Sequence, residues 1–176
     1  MLSQQYLKEC FDYDPETGLL TWKKRPLSHF KNKTVHRNIN NKMAGKNAGR
    51  NNSTRYFEVQ LNKKKHKAHR IVMLLIYGWE SNLQIDHINH NRADNRLNNL
   101  RYVTRTENMR NRIISSNNKT GIHGVHFDKS SNSFISRIGI NNNRIRLGCY
   151  KSFFDACCAR KSAEYVLGFH KNHGIK

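Results

Sequence analysis

Asp86 and His87 stand side by side, and amide side chains follow at Asn99 and Asn108, twelve and twenty-one residues beyond the histidine. These types suit hydrolysis of a phosphodiester. A hard divalent cation takes oxygen ligands. The Asp86 carboxylate and the Asn108 amide oxygen supply two, leaving positions for phosphate oxygens and water. A neutral His87 imidazole can take a proton from the attacking water. A further group must fix its tautomer, and the Asn99 amide can do so. The cofactor expected is Mg2+ or Mn2+, one divalent ion per site, neutralising charge on the scissile phosphate and the leaving oxygen. The competing reading makes Asp86 and His87 ordinary polar residues in an Asn-rich loop.

The surrounding elements must bring these side chains together. "LQID" before His87 reads as a strand end, "LRYVT" (100–104) as a second strand, and "TRTENMRNR" (104–112) as a short helix capped by Thr104 or Thr106. Every basic residue between 81 and 116 is an arginine, and guanidinium forks suit phosphate oxygens. Arg101 and Arg105 are therefore expected on DNA.

Upstream, residues 5–11 show a short helical pattern, "DPETG" a turn and "LLTW" (19–22) a strand. Residues 23–55 read as a long basic loop or extended arm. "YFEVQLN" (56–62) alternates, with Phe57, Val59 and Leu61 on one face, as a half-buried strand does. Lys63, Lys64 and Lys65 turn the chain and offer phosphate contacts. "AHRIVMLLIYGW" (68–79) reads as a buried helix stopped at Gly78.

Charge points the same way. Thirty-two Lys and Arg against twelve Asp and Glu give a formal +20, a field that recruits polyanions. No apolar run is long enough to span a bilayer and no signal peptide is visible, so a cytoplasmic protein is expected. Cys10, Cys149, Cys157 and Cys158 form no C-x-x-C pair and read as reduced thiols.

After "SSNNKTG" (115–121), which reads as a linker, the pattern changes. "GVHF" (124–127), "SFISRIGI" (133–140) and "RIRLGCY" (144–150) are three short strands joined by polar turns at "DKSSN" and "NNN". Ser152 caps a helix with Asp155 three residues on. Ala156, Ala159, Ala163 and Leu167 make its inward stripe, and Gly168 ends it.

"DHINHNRADNRLNNLRYVTRTEN" resembles the motif of phage-type HNH (ββα-metal) homing endonucleases, and "RYFEVQLNKKKHKAHRIVMLLIYG" is similar to what precedes that motif. The resemblance covers about residues 10–112. It implies Asp86 as the metal-binding acid, His87 as the general base, Asn99 as the residue positioning the base, and Asn108 as the helix residue on the metal, where other subfamilies have histidine. Asn91 and Asn95 match loop positions of structural type. The tail, with its "GV", "LG" and Ala-rich helix, is similar to the APETALA2-type DNA-binding domain. That likeness implies a sheet laid in the major groove, facing DNA with His123, His126, Arg137, Arg144 and Arg146.

The expected fold is α+β: a ββα-metal HNH module, then a three-stranded antiparallel sheet packed on one helix. The expected domains are 1–114, with the HNH core at 68–112 and a basic N-terminal extension, and 115–176. The expected activity is metal-dependent, site-specific cleavage of double-stranded DNA in a bacterial or phage-infected cell, one strand nicked per site, by a monomer or a dimer. The alternatives are a DNA-binding regulator with an inactive HNH scaffold, and a protein acting on RNA.

Overall fold

The computed structural model describes residues 2–52, 55–79, 81–140 and 143–175. The chain forms two compact units, Met1–Tyr102 and Val103–Lys176, and the architecture is mixed α and β with antiparallel sheets.

In the first unit Ser3 accepts a hydrogen bond from Tyr6 N and caps α1 (Gln4–Cys10). A hairpin follows, β1 (Phe11–Asp14) against β2 (Leu19–Trp22), with Phe11 opposite Trp22 and Asp14 opposite Leu19. Its turn closes because the Asp14 carboxylate accepts from Glu16 N and Thr17 Oγ1, at 2.9 and 2.6 Å. Gly18 then takes φ +74°.

The segment 23–55, expected as a loop, holds a 3₁₀ turn at Leu27–His29, helix α2 (Lys33–Met43) and the short strand β3 (Arg50–Asn51). The helix escapes hydropathy because its inward residue is polar. Asn40 is buried and ties down Arg25, accepting from its N at 3.1 Å and donating to its O at 2.9 Å. Asn32 caps it by accepting from Val35 N. Ser53 and Thr54 lie outside the described residues.

β3 pairs with β4 (Phe57–Leu61), and β4 with β5 (Lys64–Lys67), both antiparallel. Asn62 and Lys63, both at positive φ, make the turn. Of the three lysines expected to turn the chain, Lys64 and Lys65 instead belong to β5. Helix α3 (Ala68–Tyr77) carries the apolar run as expected, and Gly78 caps it at φ 76°. Ile71, Val72 and Met73 pack in one core with Leu7, Phe11, Trp22, Val59, Leu61 and Leu100. The unit closes with a two-stranded sheet of β6 (Gln84–His87) and β7 (Leu100–Val103).

The second unit begins with α4 (Arg105–Met109). Thr104 Oγ1 accepts from Glu107 N while Glu107 Oε2 accepts from Thr104 N, a reciprocal cap. Strands β8 (Val125–Asp128), β9 (Ser133–Ile140) and β10 (Asn143–Tyr150) form an antiparallel sheet with β9 in the middle and a register shift between Arg146 and Gly148. Asn141 and Asn142, in the expected "NNN" turn, lie outside the described residues. Helix α5 (Phe153–Val166), capped by Ser152, packs on this sheet.

The inward stripe of α5 differs from the expected alanine row. Ala156, Arg160 and Glu164 are its buried residues, and Ala159, Ala163 and Leu167 are only partly covered. The charged pair is admissible there because it is saturated. Arg160 donates to Glu164 Oε1 at 2.8 Å and to Arg137 O at 2.7 Å, and Lys161 donates to Glu164 Oε2 at 2.8 Å.

The expected break at 114/115 falls inside the second unit. His170 N donates to Arg110 O and Gly174 N to Arg112 O, which ties 110–112 to the C-terminal segment. All four cysteines are free thiols. Among the described residues no helix is long and apolar enough to cross a membrane.

Candidate active site

β6 delivers Asp86 and His87 at its end, both buried. The loop from Ile88 to Asn99 returns the chain to β7 and is stapled from within. Ile88 N donates to Asn99 O at 2.9 Å. The Asn99 side chain accepts from Asn89 N at 2.9 Å and donates to Asp94 O at 2.8 Å. Asp94 in turn accepts from Asn89 Nδ2 and takes the Arg96 guanidinium at 2.9 and 2.6 Å. Those Arg96 bonds hold its carboxyl down to about 2.

Asn99 was expected on the imidazole. Its amide is spent on loop backbone at both ends, and Asn95 stands on the ring instead. Asn95 Oδ1 lies 3.3 Å from His87 Nε2. Asn95 Nδ2 faces Ala93 O at 3.4 Å, which turns the amide oxygen toward the histidine. An acceptor there puts the hydrogen on Nε2 and leaves Nδ1 as the basic nitrogen. Spacing could not single out Asn95, because the curl of the loop decides which of its many asparagines reaches the ring.

The loop is also propped from outside. Tyr13 Oη donates to Asn95 O at 2.9 Å. At Gly18 a Cβ would meet Arg96 N at 2.5 Å and the Asn95 carbonyl carbon at 2.7 Å, so the N-terminal hairpin lies backbone to backbone against the residues that orient His87.

Arg101, expected on DNA, sits on β7 and donates to Asp86 Oδ2 from Nε at 3.0 Å and from Nη2 at 2.8 Å. Around His87 are two rings that no spacing rule indicated. His69, at the start of α3, meets it edge-on with centroids 5.0 Å apart, and Tyr56 lies 6.0 Å away. Burial pushes the His87 imidazole below its ordinary value, against the bond to Asn95 and the nearby Asp86, which raise it. Burial first, and then the neighbouring His87, push His69 down to about 3. Burial therefore favours the neutral form of both rings.

Asn108 lies on α4, in the second unit, and Arg105 is exposed on the same helix. Lys63, Lys64 and Lys65 are exposed at the β4–β5 turn and along β5. On the sheet of the second unit, Arg137 stands directly opposite Arg146, Arg144 opposite Gly139, and His126 opposite Ile135. Strand alternation puts these four side chains on one face, and all are exposed. Like charges opposed across a ladder are unfavourable unless something anionic lies over them. His123 does not join them. It precedes β8, its Nε2 lies 3.1 Å from Ile113 O, and its ring packs at 4.8 Å on His173.

With this geometry in place, residues 66–110 match the family model described as HNH endonuclease. That segment is similar to HNH endonuclease domains. It contains Asp86, His87, the stapled loop and Asn108. The chain is also similar to the solved structure of the HNH homing endonuclease I-HmuI, described with its DNA binding and cleavage, at TM-score 0.40 and 20% identity over 94% of this chain and 88% of that one. No curated protein matches the chain at significance.

Among the described residues no group of three His, Cys, Asp or Glu side chains gathers as a self-sufficient metal cage. The matched segment offers a buried carboxylate at Asp86 and carries amide side chains at Asn95 and Asn108. That set suits a hard cation which completes its shell from water and phosphate.

Proposed function

We propose that the HNH domain hydrolyses phosphodiester bonds of double-stranded DNA with one Mg2+ or Mn2+ per site, His87 acting as general base. The carrying observation is the His87–Asn95 contact, 3.3 Å between Nε2 and Oδ1, inside a segment matched to the HNH endonuclease family. Asn95 holds the hydrogen on Nε2, so Nδ1 takes the proton of the attacking water. Asn99 keeps the loop closed beneath Asn95. Asp86 is the metal carboxylate, and Arg101 fixes its orientation through Oδ2. Asn108 keeps the metal role its place in the motif assigns. When bound, the ion supplies charge neutralisation at the scissile phosphate and the leaving oxygen.

The products are 5′-phosphate and 3′-hydroxyl ends, and one site nicks one strand. The arginine face of the second unit, with Arg137, Arg144, Arg146 and His126, lies on DNA in the manner of an APETALA2-like sheet and selects the sequence. Arg105 and the Lys63–Lys65 hairpin add phosphate contacts. A phage or other mobile-element origin fits this pairing of nuclease and reader.

The test is a supercoiled-plasmid assay with wild type and His87→Ala, in Mg2+ and in EDTA. Wild type in Mg2+ should give open circles. His87→Ala should lose on the order of 10²–10⁴-fold in rate while retaining DNA binding. Equal binding by both proteins, with no cutting under any of several divalent ions, would leave a DNA-binding protein on an inactive HNH scaffold.

A further inference from the structure

Three groups to which the motif assigns no role meet around one ring beside His87. Tyr56, just before β4, is half-buried. Over its ring sit Lys67 Nζ, 4.3 Å from the centroid, and Arg92 Cζ, 5.0 Å from it. The same ring lies 5.3 Å from His69 and 6.0 Å from His87. Lys67 comes from the end of β5 and Arg92 from the stapled loop, so two elements distant in sequence each place a cation on one aromatic platform. Both cations are exposed. Helix α3 begins at the next residue, Ala68, with no side-chain cap and no acidic residue in its first turn, so its positive end adds to the same field.

Two exposed cations of like sign repel each other. Their gathering on one ring is offset by the quadrupole of Tyr56 and is stabilised further when an anion joins them. In phosphodiester hydrolysis the water that His87 deprotonates attacks the phosphate, which must therefore lie close beside the imidazole. Attack by water raises the negative charge on its non-bridging oxygens, and cations fixed beforehand at that position favour the transition state over the ground state.

We infer that Lys67 and Arg92, seated on Tyr56, form a clamp for the non-bridging oxygens of the scissile phosphate, with Tyr56 as their positioning residue. This rests on the nuclease reading above. Lys67 and Arg92 touch substrate. Tyr56 acts through them. The clamp would add positive charge at the non-bridging oxygens to what a bound divalent ion would supply.

The experiment uses the full chain and a nicked-product assay that separates kcat from KM, with DNA affinity measured in parallel. Lys67→Gln with Arg92→Gln should lower kcat about 10–100-fold, the loss expected when pre-placed groups that orient or stabilise a reacting centre are removed, and change KM and DNA affinity only a few-fold. Lys8→Gln with Lys42→Gln removes the same charge from exposed positions elsewhere and should leave kcat unchanged. Tyr56→Phe keeps the ring and should keep the rate. Tyr56→Leu should fall as far as the double cation variant, and adding it to that variant should cost nothing more.

A Lys67/Arg92 variant whose kcat equals that of the charge control overturns the clamp. So does a Tyr56→Phe protein as slow as Tyr56→Leu. Should Tyr56→Leu fail to fold, the two exposed cations still decide the matter. Wild type that cuts no DNA with any divalent ion overturns the nuclease reading and the clamp with it. Wild type that cuts while the variants cut equally well overturns the clamp alone.

Discussion

At His87 the Nε2 nitrogen faces the Asn95 amide oxygen, so Asn95→Ala releases the ring to take either tautomer and to turn. The lone pair is then on the productive nitrogen only part of the time. Asn95→Ala should lower kcat about 10–100-fold with KM and DNA affinity little changed, read in the plasmid assay. Asn99 behaves differently although it is the residue expected beside His87. Its amide closes Asn89 to Asp94, so its loss opens the loop and lowers stability and activity together. One asparagine sets a ring and the other sets a loop. The two roles separate by whether the melting temperature moves with the rate.

The hairpin β1–β2 has no residue in the HNH motif, yet its turn is part of the site's support. Gly18 at φ +74° lies where a methyl group would strike the Asn95–Arg96 backbone. Gly18→Ala should therefore cost about 1–2 kcal/mol from the backbone conformation alone. It should also reduce cleavage by displacing Asn95, with urea melts and kinetics measured on the same preparation. The wild-type Tyr13 bond to Asn95 O makes the same coupling from the strand side.

Elements with a plain period were legible in the sequence: Phe57, Val59 and Leu61 alternating on β4, the dense run of α3 with its Gly78 stop, and the three strands of the tail. Helix α2 was not, because its buried residue is Asn40 and hydropathy is blind to an amide that caps backbone. The stripe of α5 was misassigned for the same reason, since Arg160 and Glu164 enter the interior as a saturated pair. In the site, Asp86 and His87 stood out by adjacency. Asn95 stood out only as a loop position of structural type, and Tyr56 and His69 not at all, because only the folded chain brings them to the imidazole.

At the scale of the molecule, each unit buries an imidazole in its neutral form, and acid stability follows from that. His69 is held down to about 3 and His173 to about 4, in both cases by burial first. An unfolded histidine takes its proton near 6.5. Below that value the unfolded chain binds protons that the folded chain refuses, so stability is full above about pH 6.5 and is lost as pH falls toward 4 and then 3. Around His173, Glu164 opposes the shift while His123, Arg160 and Lys161 support it. Melting temperatures should fall from pH 7 to pH 4. His173→Gln should flatten that slope in the second unit and leave the first unit's slope in place, resolved by calorimetry.

The pressure of Gly18 and Tyr13 on Asn95 has a consequence for how such nucleases can be borrowed. The matched segment, 66–110, starts well after the hairpin that backs its own loop, and after Leu7, Phe11 and Trp22 of its own core. Transplanted alone, it would carry every letter of the motif and the staples within its loop, but not the outer support of Gly18 and Tyr13. The portable cassette in this protein begins near residue 3, so an engineer who moves the motif into another chain must carry the N-terminal hairpin along.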